Sequence, residues 1–556
     1  MLIVMVGFAT LEGDRVVAQQ AVWSESFENG PGPWEGITIR SSDYDAPVEG
    51  TAYGMVPGGS DAAIATTPLT IEPGRRYLVT AWARSVYSDD HLALLRNTPD
   101  GDLPPGNPAE AFAEIGLVAD GTFIRERAGI VNPRRILGAP EDASNDDGAN
   151  VWVDVDAGFR HAFAENHFYQ PLSSDPILAP WLQGELPLAA EQPDMMAKGV
   201  AVFPDGTRRI YGFNSNNPFC QGSGENCQAI IFADVIGSGD PGYDQPSRPS
   251  DSYIAWHSGD EDPWLGDPHV FVDPTTDRAW LSFGGGTGIY VAELDSESGF
   301  MAGFDGPVSF DEHPEAFTKV ADWSGDEWTN DSTWFEGAAL WRQGGFWYLF
   351  TSNGNLGTNY TIRVGRGLSP RGPFLDKLGR DMAVLDAADR VHGNSFVLGD
   401  DADQLVPGHP HIWQEGERYF LGYDYRKGKT PADTEEFDIM GIRELHWRNG
   451  WPTIWHRFTL EFDADEFPDL HGRPLSIALH NLGDPESIVA YDDITITSAC
   501  DDCSGDLDLD CSVGGQDLGI LLAGWGSTGP PADLNGDGAV NGADLGLLFA
   551  GWGPCR

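Results

Sequence analysis

Residues 334–376 contain Trp334-Phe335-Glu336-Gly337-Ala338-Ala339-Leu340-Trp341-Arg342-Gln343-Gly344-Gly345-Phe346-Trp347-Tyr348-Leu349-Phe350-Thr351-Ser352. After a short loop come Tyr360-Thr361-Ile362-Arg363-Val364-Gly365-Arg366 and Gly372-Pro373-Phe374-Leu375-Asp376. Aromatic and β-branched residues flank Gln343-Gly344-Gly345, a turn in which glycine takes positive φ without steric cost. The stretch therefore reads as an apolar β-hairpin. One acid, Glu336, sits at its mouth beside Trp334 and Phe335. A carboxylate there is poorly solvated, and desolvation favours the neutral acid, the form a general acid needs. A lone glutamate at a strand end is more often a cap or an ion-pair partner. What sets this one apart is that the arrangement recurs.

Four further hairpins share the pattern. They are Val151–Val153 with Phe159–Phe163, Val200–Phe203 with Ile210–Phe213, Val270–Val272 with Trp280–Phe283, and His411–Trp413 with Tyr419–Leu421. The five turns fall near 158, 206, 276, 344 and 416, a spacing of 48 to 72 residues that suits four-stranded blades with insertions. The expected fold is mainly β, a five-bladed β-propeller over 96–454. Just upstream of the first strands stand Asp147, Asp194, Asp267, Glu336 and His409. The innermost strand of a blade lines the central channel, so these residues should meet at one mouth. Carboxylates facing one cavity repel one another and keep one of their number protonated. Glycoside hydrolysis is the chemistry that needs little more than such a pair.

Composition narrows the field. The 556 residues exceed one core, so two to four domains are expected. A formal net charge of −53 argues against nucleic acid and anionic membrane as partners. Residues 1–21 read as a signal-peptide-like segment, and no stretch is apolar enough to span a membrane. A secreted or cell-surface monomer is expected, in which Cys220 and Cys227 are placed to bridge a small loop. Short alternating strands in 22–95 and again in 455–499 suggest a β-sandwich in two pieces, with the propeller inserted between them. The pieces resemble a jelly-roll carbohydrate-binding module, including its closing Tyr491-Asp492-Asp493.

Over about 190–450 the motifs resemble glycoside hydrolase family 43, particularly its arabinanase-like members. The matching stretches are Pro193-Asp194-Met195, Gly266-Asp267-Pro268, Glu336-Gly337-Ala338, Pro407-Gly408-His409 and Ile442–Trp447. Each alone is weak; five in the right order are not. The resemblance implies Glu336 as general acid, Asp267 as the residue that orients it and tunes its acidity, and His409 near a central cation. The family's His-Asp-Pro for the general base is not recognisable here. Asp147 is the candidate by hairpin position, with Asp146, Asp154 and Asp175 competing. An inverting mechanism is implied, with room for a water between the carboxyls. Trp152, Trp264 and Trp334 are candidate sugar platforms, with Asp194 beside them; each equally suits blade packing. The expected substrate is an arabinose- or xylose-containing polysaccharide. Two alternatives stand: a non-catalytic carbohydrate-binding or adhesion protein on the same propeller, and a related propeller glycosidase acting on fructans or other glycosides.

The tail, 500–556, repeats at a period of 27: Asp517–Gly526 matches Asp544–Gly553. Asp533, Asn535, Asp537, Asn541 and Asp544 stand at positions 1, 3, 5, 9 and 12 of a calcium loop, with Gly538 at 6. The first copy offers Asp506, Asp508, Asp510 and Asp517, but Cys511 replaces the turn glycine, so weaker Ca2+ binding is expected. The pair resembles a type I dockerin, which implies a cohesin-bearing protein or surface scaffold as partner.

Overall fold

In the computed structural model, described residues comprise 11–86, 112–137, 152–184, 196–214, 227–235, 253–322, 334–354, 360–384, 392–428, 434–482, 488–527 and 532–554, with short interior gaps, the longest at 42–51. The leader-like residues 1–10 lie outside them, as do Asp146, Asp147 and Asp194.

Five sheets occupy 134–453, antiparallel but for one short parallel pairing, of Ala255 and Trp256 with Val308 and Ser309. Blade I runs Trp152–Asp156, Phe159–Phe163, His167–Pro171 and Leu182–Gly184; blade II begins at Met196–Val202 and blade III at His269–Val272. Blade IV comprises Trp334–Gln343, Phe346–Gly354, Thr361–Gly367 and Ser395–Leu398. Blade V runs Gln404–Glu415, Arg418–Gly428 and Thr434–Arg448, and its outer edge is supplied from upstream by Arg134–Leu137. Each first strand lies against the next, and the fifth against the first, so the ring closes. Borrowing an early strand for the last blade pairs an edge that would otherwise be open. Arg160 of blade I reinforces the closure: its buried guanidinium grips both carboxylate oxygens of Glu415 at the turn of blade V.

The hairpin turns follow from the residues at them. Gly344 and Gly345 have φ of 57° and 84°, and Gln343 pairs with Phe346, a two-residue turn open to φ-positive residues only. The apolar faces pack between blades. Ala339, Tyr348, Phe350, Ile362, Val364, Ile412, Leu421 and Tyr423 form one buried cluster between blades IV and V. Each of the Val, Leu, Ile and Phe side chains contributes about 1.5–3 kcal/mol on leaving water.

The remaining strands build a second core from both ends of the chain. One sheet orders Thr122–Ile130, Phe112–Ala119, Pro474–Asn481, Ala63–Thr70 and Trp34–Glu35; the other orders His456–Asp463, Arg75–Val86, Ile488–Cys500, Ala52–Pro57 and Thr38–Ser41. Val79, Leu117, Phe462, Ile477 and Tyr491 are among the side chains buried together. Two expected boundaries shift. Residues 112–130, assigned to the propeller from sequence, form a hairpin whose first strand, Phe112–Ala119, pairs with Pro474–Asn481 instead. The hairpin's apolar face, with Ile115 and Leu117, is covered by that distant strand and not by a blade. Gln20 and Ala21, placed in the leader-like segment, pair with Ser498 and Thr497.

The tail carries helices Gly515–Ala523 and Gly542–Ala550, packed through Val513, Leu521, Ala532, Val540 and Leu548. No helix among the described residues is long and apolar enough to cross a membrane.

Candidate active site

Glu336, Asp267 and His409 come from blades IV, III and V, and their ligand atoms lie within 4.8 Å of one another. Each sits where the innermost strand departs from regular geometry. In blade IV, Glu336 pairs with Ser352 but Ala339 with Phe350, a one-residue bulge at which Gly337 has φ of 63°. Blade V shifts register between Gly408 and His411, with His409 at φ 44°. Asp267 stands two residues ahead of His269–Val272 with φ of 51°. Left-handed backbone at a non-glycine residue costs about 1–3 kcal/mol and persists where surroundings enforce it. Bulges re-aim side chains, and here they gather three polar groups at one mouth of the ring.

Hydrogen bonds lock the cluster. Asp267 Oδ2 lies 2.9 Å from His409 Nε2 and accepts the backbone N–H of Gly337 at 3.2 Å. His409 Nδ1 reaches Asp424 Oδ2 at 3.0 Å, and the backbone N–H of His409 donates to Ser352 Oγ at 2.8 Å. Burial alone would pull the imidazole towards its neutral form, but the carboxylates of Asp267 and Asp424 outweigh it and raise the His409 pKa well above its ordinary value. The ring is thus an imidazolium with both N–H groups donated. The Tyr360 hydroxyl donates to Glu336 Oε1 at 2.5 Å. Glu336 is 6% exposed and Asp267 7% exposed, so substrate binding needs to displace little water from either.

A cation expected beside His409 meets a closed arrangement. Both ring nitrogens face carboxylates at hydrogen-bond distance, so a metal bound directly to the imidazole would have to replace one of these contacts. Asp267, Glu336 and His409 still offer ligand atoms within 4.8 Å of one another, a set able to hold a cation, and a cation held by His409 through water leaves these ring contacts in place.

Trp264 is half-buried and lies beside the acid: a methyl group at Gly285 would come within 2.2 Å of its ring and 3.3 Å of Glu336 Cβ. Trp152 and Trp334 lie in innermost strands, but their side chains fall outside the described residues. Of the competitors for the base, Asp175 is committed elsewhere: it pairs with Arg418 at 2.7 Å, near the turn end of blade V. The Asp154 backbone lies in the first strand of blade I, opposite His161. Tyr360, Asp424 and Ser352 were not singled out from sequence. Their only signal was nearness to the blade IV and V motifs.

In the tail, Asp533 accepts from the N–H groups of Asp537 at 3.2 Å and Gly538 at 2.8 Å, and Asp544 accepts from Leu534 at 2.8 Å and Asn541 at 2.7 Å. Asn541 Oδ1 caps the second helix through Ala543 N–H at 2.8 Å. Asp517 binds Leu507 and Gly514 in the same way, at 2.5 and 2.6 Å. Asp506 is buried, whereas Asp508 and Asp510 lie outside the described residues. These side chains carry carboxylate and amide oxygens, the ligand type a hard cation such as Ca2+ takes. Cys227 is disulfide-bonded; Cys220 lies outside the described residues.

Comparison with known proteins bears on the propeller. Residues 252–452 match the model of glycosyl hydrolases family 43. Arabinan endo-1,5-alpha-L-arabinosidase B of Emericella nidulans is 28% identical over 216 residues, 34% of this chain and 52% of its own. The extracellular exo-alpha-(1->5)-L-arabinofuranosidase ArbA of Cellvibrio japonicus is 30% identical over 128 residues, 22% of this chain and 34% of its own. The chain thus spans about half or less of these relatives' length. Among solved structures, the Cellvibrio cellulosa alpha-L-arabinanase complexed with arabinohexaose aligns at a TM-score of 0.41 and 18% identity, over 55% of this chain and 95% of its own.

Proposed function

The chain carries a glycosyl hydrolases family 43 region at 252–452, and from that premise we propose that it hydrolyses glycosidic bonds in arabinan. The observation that carries the reading is the cluster of buried Glu336 and Asp267 with half-buried His409 at one mouth of the blade ring. The names of the relatives supply the substrate class.

In this reading Glu336 gives its proton to the glycosidic oxygen as the bond to the sugar carbon breaks. Asp267 holds the Glu336–Gly337 segment through the Gly337 N–H and is itself held by His409. A carboxylate from blade I takes a proton from the water that attacks the opposite face, with inversion; Asp147 is the candidate, with Asp146 and Asp154 beside it. Trp264 offers an aromatic face next to the acid. Trp152, Trp334 and Asp194 complete the proposed sugar contacts.

Secretion, Ca2+ binding and attachment through the tail belong to the same proposal. The support is the acidic composition, the duplicated loop-helix units and the oxygen-rich loops. Asp533, Asn535, Asp537, Asn541 and Asp544 would hold one ion, and Asp506, Asp508, Asp510 and Asp517 a weaker second. The ion would stiffen the loops without entering the reaction, and a cohesin-like protein would be the partner. Reducing-sugar release from linear 1,5-arabinan tests the enzymatic reading. Release by the wild type, abolished in Glu336→Gln, supports it; no release from arabinan or from any arabinose- or xylose-containing polymer refutes it.

A further inference from the structure

We propose that Tyr360 is a positioning residue that fixes which oxygen of Glu336 carries the transferable proton. The inference rests on Glu336 acting as the acid. Tyr360 stands just ahead of the third strand of blade IV and is 1% exposed. Its hydroxyl donates to Glu336 Oε1 at 2.5 Å. Burial, and next the Glu336 carboxylate, raise the phenol pKa well above its ordinary value, so it remains an O–H donor throughout the working range. A donor permanently aimed at Oε1 occupies that oxygen as an acceptor. The neutral carboxyl then carries its proton on Oε2, and a single orientation is presented to the glycosidic oxygen.

The placement is built in from the neighbouring blade. The Tyr360 ring lies against Gly408: a Cβ there would come within 2.2 Å of Tyr360 Cε1 and 3.2 Å of Asp424 Oδ1. Tyr360 also packs with Val406. Gly408 has an ordinary φ, so space for the ring, and not backbone conformation, is what requires glycine there. A blade V glycine thus sets the reach of a blade IV phenol to the blade IV acid. Orienting a reacting group in this way lowers the barrier because a misplacement of about 1 Å costs about 100-fold.

The test compares two substrates on the full chain. Linear 1,5-arabinan needs its leaving oxygen protonated. A 4-nitrophenyl α-L-arabino-oligosaccharide expels a stable anion and does not. In Tyr360→Phe, kcat on arabinan should fall about 100-fold, while kcat on the aryl substrate should fall less than about 3-fold. Gly408→Ala, which displaces the ring but keeps the hydroxyl, should show the same split. Equal losses on both substrates, or no loss on either, overturn the proposal. Glu336→Gln separates the two layers. If it lacks the leaving-group dependence, the assignment of the acid fails; if it shows it and Tyr360→Phe does not, only the role of Tyr360 fails. A crystal structure gives a readout independent of activity. The phenol should lie within hydrogen-bond distance of one Glu336 oxygen, and separation beyond about 3.5 Å from both overturns the inference.

Discussion

His409 joins Asp267 to Asp424 through its two ring nitrogens, at 2.9 and 3.0 Å. One cation between two buried carboxylates makes a linked unit spanning blades III and V. Removing the cation leaves both anions uncompensated, which costs about 3–5 kcal/mol for a buried pair. His409→Ala should therefore lower the denaturant midpoint by a matching amount and abolish activity, as measured by urea unfolding and arabinan assay. Because the folded pKa of His409 is raised, its contribution is complete below the unfolded value near 6.5 and fades only as pH rises through the folded value. A variant as stable as the wild type at pH 7 would contradict this.

A different histidine, His446, should contribute to acid stability, as should His269, whose pKa burial lowers further, to about 3. His446 is half-buried between Trp82 and His456, with ring centroids 5.8 and 5.7 Å away. Burial is the main cause of a pKa lowered to about 4; His456 and the guanidinium groups of Arg418 and Arg457 add to it, against Glu444. The unfolded chain therefore takes up this proton first. Stability should be full above about pH 6.5, fall by about 3 kcal/mol as pH drops to 4, and level off there for this group. His446→Phe should flatten that part of the urea-midpoint profile; an unchanged slope would rule the site out.

Gly337 should tolerate no side chain. Its φ is 63°, and a Cβ would lie 2.8 Å from Ser352 Oγ and 3.1 Å from His409 Cδ2. Left-handed backbone in an alanine costs about 1–2 kcal/mol before any contact is counted. Gly337→Ala should destabilise by at least that much and reduce kcat by pushing His409 away from Asp267. Thermal unfolding together with arabinan kinetics checks both effects.

The two tail loops should differ towards calcium. The second has Gly538 at its turn with φ of 87°, where the first has Cys511. Calorimetric titration of the full chain with Ca2+ should show one tighter site, lost in Asp533→Ala, and a weaker one that survives. Chelation should expose the tail to protease and leave arabinan hydrolysis unchanged. Equal sites, or none, would count against the loop assignment.

Much of the architecture was legible because its signals are local. Gly344-Gly345 announces a turn, and alternation around it announces strands. The convergence of Asp267, Glu336 and His409 was legible from their place at strand starts. What escaped depends on pairing between distant segments. Nothing in Phe112–Ala119 says that its cover is a strand more than 350 positions on. Nothing in Arg134–Leu137 marks it as the edge of the last blade. Tyr360 looked like one aromatic among many; its meaning lies in the space over Gly408, which only the fold creates.

The central claim is that Glu336 supplies the proton that cleaves a sugar–sugar bond. Steady-state hydrolysis of linear 1,5-arabinan by Glu336→Gln tests it most directly, with circular dichroism confirming the fold. The account predicts a loss of at least about 100-fold with the fold and sugar binding retained. Turnover equal to that of the wild type would contradict it.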